Sequence, residues 1–141
     1  MTDRLQRLAD MAMNIVASEA VTIKEYGFSL NTSDASLTFF MLDGNAQLCY
    51  CRARIGELGD QKCPGEFAEE ALKGNFFWQA TDGATISLNT TENSLYLTDR
   101  FDEGAFEDEE AFQNYLDGFL RTLFDWQERL DSYMTEKEVA K

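Results

Sequence analysis

The chain has 141 residues, with 26 Asp and Glu against 12 Lys and Arg, so its formal net charge is −14, and it contains no histidine. This length fits one domain with a substantial core, and 44% hydrophobic residues is too many for a disordered acidic tail. The charge argues against binding to nucleic acid or to an anionic membrane, and the lack of histidine excludes Ser-His-Asp and Cys-His catalysis and every His-ligated metal site.

The three cysteines, Cys49, Cys51 and Cys63, predict packed, reduced thiols rather than disulfides or a metal site. Cys49 and Cys51 lie two apart in a strand-like run, so both should point to the same face of that strand. The chain shows no signal-peptide pattern and no apolar run near the roughly 18 residues of a membrane span. We therefore expect a soluble cytoplasmic protein.

The first half of the chain predicts one helix and three strands. Apolar residues at three- and four-residue spacing predict a helix over residues 3–18. Residues 21–30 predict a single strand with an irregularity at Gly27. Residues 35–43 and 46–55 predict a hairpin, because alternating apolar runs flank the turn-forming Asp-Gly-Asn.

The second half predicts a short helix over residues 64–73, starting at the only proline. Strands are expected over 76–88 and 94–99, with Asp82-Gly83 forming a bulge or a turn within the first of them. A broad apolar face predicts a long helix over 108–134.

The element order α-β-β-β-α-β-β-α predicts an α+β domain with helices packed on a twisted antiparallel sheet. We expect one domain over residues 1–135 and a frayed C-terminal tail over 136–141. The acidity is uneven: residues 1–63 hold 8 acidic and 6 basic residues, whereas residues 64–141 hold 18 acidic and 6 basic residues.

No nucleotide, nucleophile-elbow or calcium-loop motif is present, so we assign no catalytic residue, no metal ligand and no cofactor. The more informative feature is the aromatic content, and above all the run Phe76-Phe77-Trp78. On a strand these side chains would point to opposite faces, which one small sheet cannot easily hide. Either a helix and a second subunit cover them, or some of this surface stays open for a partner.

Residues 71–89, ALKGNFFWQATDGATISLN, resemble the class I type III secretion chaperones of the Tir-chaperone type. In that family the second helix ends in a Leu/Ala-rich turn, followed by an Asn-aromatic pair and a Gly-Ala strand with small and apolar residues. The matching residues here are Leu72, Asn75-Phe76 and Gly83–Leu88. The element order and the aromatic final helix, which ends near Trp126 and Leu130, also fit the family.

The resemblance implies a homodimer without enzymatic activity that binds the N-terminal segment of a secreted effector in the bacterial cytoplasm and keeps it soluble and competent for export. It suggests that the second helix and the following strand form the dimer interface, with Phe67, Leu72, Phe76, Trp78, Ile86 and Leu88. It suggests that the first helix and exposed sheet surface bind the substrate, with Leu8, Ile15, Phe39, Phe40, Leu48 and Tyr50.

Two other hypotheses follow from the residues. A curved sheet and a long helix can enclose an apolar pocket, so the chain could be a small-ligand-binding domain or an enzyme with Asp82 or Tyr50 as acid or base. The charge of −14 could instead belong to an acidic inhibitor of a basic protein. The inhibitor predicts affinity that collapses with salt, whereas apolar grooves predict modest salt sensitivity.

Overall fold

The computed structural model describes residues 3–41, 48–58, 64–102 and 104–139. Three α-helices pack on a six-stranded antiparallel sheet, as the predicted α+β class requires. The predicted Asp-Gly-Asn turn and Cys63 lie outside the described residues. Within these ranges, no helix is both long and apolar enough to cross a membrane.

The helices are α1 (Asp3–Ile15), α2 (Pro64–Asn75) and α3 (Glu109–Val139). The strands are β1 (Val21–Lys24), β2 (Gly27–Asn31), β3 (Ser36–Phe40), β4 (Leu48–Glu57), β5 (Thr85–Asn89) and β6 (Ser94–Asp102), and their order across the sheet is β1-β2-β3-β4-β6-β5. The predicted hairpin is confirmed, with Phe40 opposite Tyr50 in the register of β3 and β4. The final helix begins where predicted and continues past residue 134.

The single strand predicted over residues 21–30 is wrong, because the segment folds into two strands. Lys24 pairs with Gly27, so Glu25-Tyr26 forms a two-residue hairpin turn between β1 and β2. A Cβ at Gly27 would lie 1.9 Å from the carbonyl oxygen of Phe39. Gly27 therefore marks a close approach of two backbones at the start of a strand, and the alternating apolar pattern on either side concealed the turn.

The strand predicted over residues 76–88 is also partly wrong. Phe76–Trp78 forms a short 3-10 turn after α2, which we call the aromatic turn, and β5 starts only at Thr85. Phe77 and Trp78 have φ angles of 51° and 56°, which no strand allows. Asp82 and Gly83 follow with φ angles of 52° and 90°, so of the two predicted alternatives the structure has the turn.

Close contacts divide the chain into two compact units. Unit 1 comprises Met1–Ala53 and Thr98–Asp117. Its centre is the fully buried ring of Phe39, which stacks on Phe28 at 4.8 Å and meets Phe112 edge-on at 5.7 Å. Cys49 and Cys51 are fully buried free thiols, as predicted.

Unit 2 comprises Arg54–Leu97 and Gly118–Lys141, and its largest buried side chain is Trp126. The indole Nε1–H of Trp126 donates to the carbonyl of Ala80 at 2.8 Å, and its ring meets Phe67 edge-on at 6.3 Å. A Cβ at Gly74 would lie 2.4 Å from Cζ2 of Trp126. The end of α2 can approach α3 this closely only because residue 74 has no side chain.

Candidate protein-binding site

The main candidate site is a group of five large apolar side chains of unit 2 that point into solvent, which we call the apolar cluster. Their exposed fractions are 69% for Leu72, 65% for Phe76, 73% for Phe77, 53% for Trp78 and 48% for Leu88. They come from three consecutive elements, namely the end of α2, the aromatic turn and β5. Soluble monomers rarely leave so many large apolar groups exposed in one segment, so this surface is suited to binding another protein.

Asn75, the residue before the aromatic turn, ties this segment to β5. Its side-chain Oδ1 accepts the backbone N–H of Ile86 at 2.9 Å, and its Nδ2 donates to the Ile86 carbonyl at 3.0 Å. The indole Nε1–H of Trp78 donates to Oγ1 of Thr85 at 3.3 Å, which adds a second tie to β5. These bonds hold the exposed rings next to the strand in a defined arrangement.

The backbone of the aromatic turn is strained. Left-handed φ angles are unfavourable for residues with a Cβ, and Phe77 and Trp78 adopt them in succession. The rings of Phe76 and Phe77 meet edge-on at 4.7 Å, so they cover each other only in part. Strain of this kind persists where the surroundings impose it and is found at functional sites.

The six residues predicted for a dimer interface fall into two groups. Leu72, Phe76, Trp78 and Leu88 are exposed members of the apolar cluster, whereas Phe67 and Ile86 are buried. Phe77, the most exposed of all, was not in the predicted set. The only sequence signal for Phe77 was the run of three aromatic residues. Because that run was interpreted as a strand, the role of Asn75 was not predicted.

The six residues predicted for substrate binding are spread through unit 1. Phe40 and Tyr50 are half-buried and stack with their ring centroids 5.6 Å apart, and Ile15 and Leu48 are also half-buried. The guanidinium of Arg52 lies 5.3 Å from the centroid of the Phe40 ring. Leu8 and Phe39, in contrast, are buried in the interior of the unit, where they fix the elements that carry the other residues.

The titratable side chains relevant to an enzyme hypothesis differ in burial. Asp82 is exposed in its turn. Burial raises the pKa of the Cys51 thiol, and nearby Cys49 and Asp99 raise it further, so this thiol is protonated and unreactive at neutral pH. Burial likewise raises the pKa of Tyr115, whose hydroxyl donates to Asp99 at 2.9 Å. Among the described residues, no group of three or more Cys, Asp or Glu converges to hold a metal ion.

Comparison with known proteins decides the family. The model of the Tir chaperone protein (CesT) family matches residues 24–127, which is most of the chain. The chain belongs to the Tir chaperone protein family. The resemblance of residues 71–89 to these chaperones is thereby confirmed, and both Asn75 and the apolar cluster lie within the matched segment of this Tir chaperone family member.

Solved structures share the fold of this Tir chaperone family member at low sequence identity. A chain in the crystal structure of the ExsC–ExsE complex is 18% identical with a TM-score of 0.71, and the match covers 92% of this chain and 96% of that one. A chain in the HopA1–SchA chaperone–effector complex is 12% identical with a TM-score of 0.64, covering 88% and 94%. A chain in the crystal structure of the Yersinia pestis type III secretion chaperone SycH in complex with a stable fragment of YscM2 is 12% identical with a TM-score of 0.62, covering 87% and 98%. No curated protein matches the sequence.

Proposed function

We propose that this protein is a non-enzymatic type III secretion chaperone of the bacterial cytoplasm. It binds the N-terminal segment of an effector or other secreted substrate as a homodimer, and so keeps that segment soluble and competent for export. The observation that carries the proposal is the apolar cluster, because a chain of net charge −14 exposes five large apolar side chains within a segment matched by the Tir chaperone family.

The homodimer is supported by the chemistry of the apolar cluster. Aromatic side chains give large contact areas with little loss of rotamer freedom, and they are enriched at the centres of protein interfaces. A second copy of the same patch is complementary to it in an isologous dimer. The charge of each copy resists aggregation of this surface before it finds its partner.

Substrate binding is supported by the half-buried aromatic pair of Phe40 and Tyr50 in unit 1. Stacked rings on the outer face of a hairpin offer a rigid apolar site for side chains of an extended segment. A disordered segment must lose entropy as it binds, so it needs a large contact area with several such sites. Ile15 and Leu48 are further sites of this kind in unit 1.

Co-expression with candidate effector segments tests the proposal. We expect the full chain to retain the N-terminal segment of its effector through purification and to sediment as a dimer. The double change Phe40→Ser with Tyr50→Ser should reduce the retained segment at least several-fold. Phe124→Ser is the matched control, because Phe124 is also an exposed aromatic residue but lies on α3. A strictly monomeric chain that retains no N-terminal effector segment would contradict the proposal.

A further inference from the structure

The strand β5 lies at an edge of the sheet, within the segment that carries the apolar cluster. It is the last strand in the sheet order, so only one of its two sides pairs with another strand. Backbone N–H and C=O groups alternate in direction along a strand, so those of Ile86 and Leu88 point to the same side. Both groups of Ile86 bond to the side chain of Asn75, which lies outside the sheet. The N–H and C=O of Leu88 therefore point outward from the edge of the sheet.

Polar side chains limit this open edge to a single residue. On one side of Leu88, Asn75 occupies both backbone groups of Ile86. On the other side, the carboxamide oxygen of Asn89 accepts the backbone N–H of Thr91 at 3.1 Å, and the turn that it stabilises ends β5. Within β5, which the structure describes throughout, Leu88 is thus the residue whose two outward groups are placed to pair with another chain.

The surface around the open edge carries little charge. Residues 74–91 include one charged residue, Asp82, although 27% of the whole chain is charged. Proteins commonly protect an exposed sheet edge with charged side chains, above all lysine, and the other edge strand, β1, ends in Lys24. β5 has no charged residue. Two copies that meet at this surface therefore bring few acidic side chains together, although each carries a net charge of −14.

The apolar cluster has enough exposed area to hold two copies together. Large aromatic side chains bury about 150–250 Å² each and leucine somewhat less, so the exposed fractions of the five members amount to roughly 600 Å² per copy. Two such patches bury about 1,200 Å² in total, which reaches the range of stable, specific interfaces. Leu88 belongs both to the cluster and to the open edge, so contact between two clusters also brings two such edges together.

We propose that β5 pairs in antiparallel fashion with β5 of a second copy, with Leu88 opposite Leu88 of the partner subunit. In this register the N–H of each Leu88 donates to the carbonyl of the other, which is the exchange that two opposed residues make in an antiparallel ladder. A two-fold axis passes through the middle of this pair, as an isologous dimer requires. The pairing specifies the contact of the proposed homodimer and rests on that proposal.

Asn75 fixes the register and the extent of this pairing. A shift by two residues would place Ile86 on the two-fold axis, where its backbone groups already bond to Asn75. The pairing is thereby confined to one residue of each copy, and the apolar cluster supplies most of the contact. A longer open edge would also accept unrelated extended chains, which is a route to aggregation.

Hydrogen exchange of single backbone amides, followed by NMR on the full chain, tests the pairing. The outward N–H of Leu88 exchanges freely in the monomer. We expect its exchange to slow by about tenfold or more as the protein concentration rises through the range in which the sedimenting mass doubles. The N–H of Ile86 is the internal control, because Asn75 bonds to it in both states.

Two substitutions separate the backbone of Leu88 from its side chain. Leu88→Ala removes the side chain and keeps the N–H, whereas Leu88→Pro removes both, and an edge strand tolerates proline where the missing N–H faces outward. We expect the Leu88→Pro dimer to dissociate at least about fivefold more readily than the Leu88→Ala dimer, because two N–H groups per dimer lose their hydrogen bonds. Sedimentation equilibrium measures both variants, and the buried indole N–H of Trp126 reports whether each is folded.

The outcomes separate the pairing from the homodimer itself. A dimer in which Leu88 exchanges as fast as in the monomer would overturn the pairing and leave the proposed homodimer standing, and equal dissociation of Leu88→Pro and Leu88→Ala has the same meaning. If Leu88→Pro does not fold, the exchange measurement on the unchanged chain decides. A chain that stays monomeric at every concentration would overturn both proposals.

Discussion

Asn75 occupies both backbone hydrogen-bonding groups of Ile86, accepting from its N–H at 2.9 Å and donating to its carbonyl at 3.0 Å. This is the pair of bonds that two opposed residues exchange in an antiparallel ladder. A single side-chain amide thus replaces a neighbouring strand at β5 and closes the segment that carries the aromatic turn. The Asn-aromatic pair, which marked the family resemblance in the sequence, has this physical role.

Replacing Asn75 with alanine should lower the free energy of unfolding by about 1–3 kcal/mol, because the amide groups of Ile86 lose partners in a partly buried site. Asn75→Asp keeps an acceptor for the Ile86 N–H but sets a carboxylate oxygen against the Ile86 carbonyl, so its loss should be at least as large. Urea unfolding followed by fluorescence measures both variants. Equal free energies of unfolding for Asn75→Ala and the wild-type chain would show that water replaces the two hydrogen bonds of Asn75 with no loss of stability.

Gly74→Ala should destabilise the chain by about 1–3 kcal/mol, because the new methyl group would overlap the buried ring of Trp126. Gly65→Ala is the matched control, since it lies in the same helix with no atom within 4 Å of the added Cβ. That change should stabilise the chain by up to about 1 kcal/mol through helix propensity. Thermal unfolding of the two variants should therefore shift in opposite directions, and a shared direction would contradict the close approach of Gly74 to Trp126.

Phe77→Asn separates folding from self-association at the apolar cluster. Asparagine tolerates a left-handed backbone better than phenylalanine, so the free energy of unfolding should stay the same or rise by up to about 1 kcal/mol. Self-association, measured by sedimentation equilibrium, should weaken at least about tenfold, as for an aromatic residue at the centre of an interface. Phe124→Asn is the control for loss of an exposed aromatic ring elsewhere. If Phe77→Asn associates as strongly as the wild-type chain, the aromatic turn is not part of the dimer interface.

Tyr115 should make stability depend on pH in the alkaline range. Burial raises its pKa well above the ordinary value of about 10, so above pH 10 the unfolded chain loses the proton while the folded chain keeps it. The unfolded state then binds fewer protons, and the free energy of unfolding falls by about 1.4 kcal/mol per pH unit from this group.

The variant Tyr115→Phe isolates that contribution. Its free energy of unfolding should decline less steeply between pH 10 and pH 11 than that of the wild-type chain, although it loses the hydrogen bond to Asp99 at every pH. Tyr26→Phe, a change at an exposed tyrosine, should keep the wild-type slope. Parallel pH profiles for Tyr115→Phe and the wild-type chain would show that the buried hydroxyl does not carry the effect.

The sequence predicted the helices and the β3–β4 hairpin well, because apolar periodicity reports burial on one face of a regular element. It failed where backbones turn within an apolar run. A new strand begins at Gly27, and its Cα lies so close to the Phe39 carbonyl that a side chain would not fit. No local sequence pattern contains this long-range contact. Periodicity over Phe76–Trp78 predicted a strand, because adjacent aromatic residues carry no signal for left-handed φ angles.

The candidate site was predictable in part for a related reason. Leu72, Phe76, Trp78 and Leu88 were identified through the family resemblance, and their exposure in the structure agrees with a surface role without testing it. The charged residues Asp125, Glu128 and Arg129 of α3 were not singled out, because their spacing is that of any solvated helix face.

The two fully buried thiols of β4 allow local unfolding of unit 1 to be measured. A thiol reagent can modify Cys49 and Cys51 only when the strand is transiently released, so in a Cys63→Ser chain the labelling rate measures how often that interior opens. Any ligand that binds only the closed form slows labelling in proportion to its occupancy. The unreactive cysteines of this chain thus provide an assay for ligands of unit 1 that requires no knowledge of where they bind.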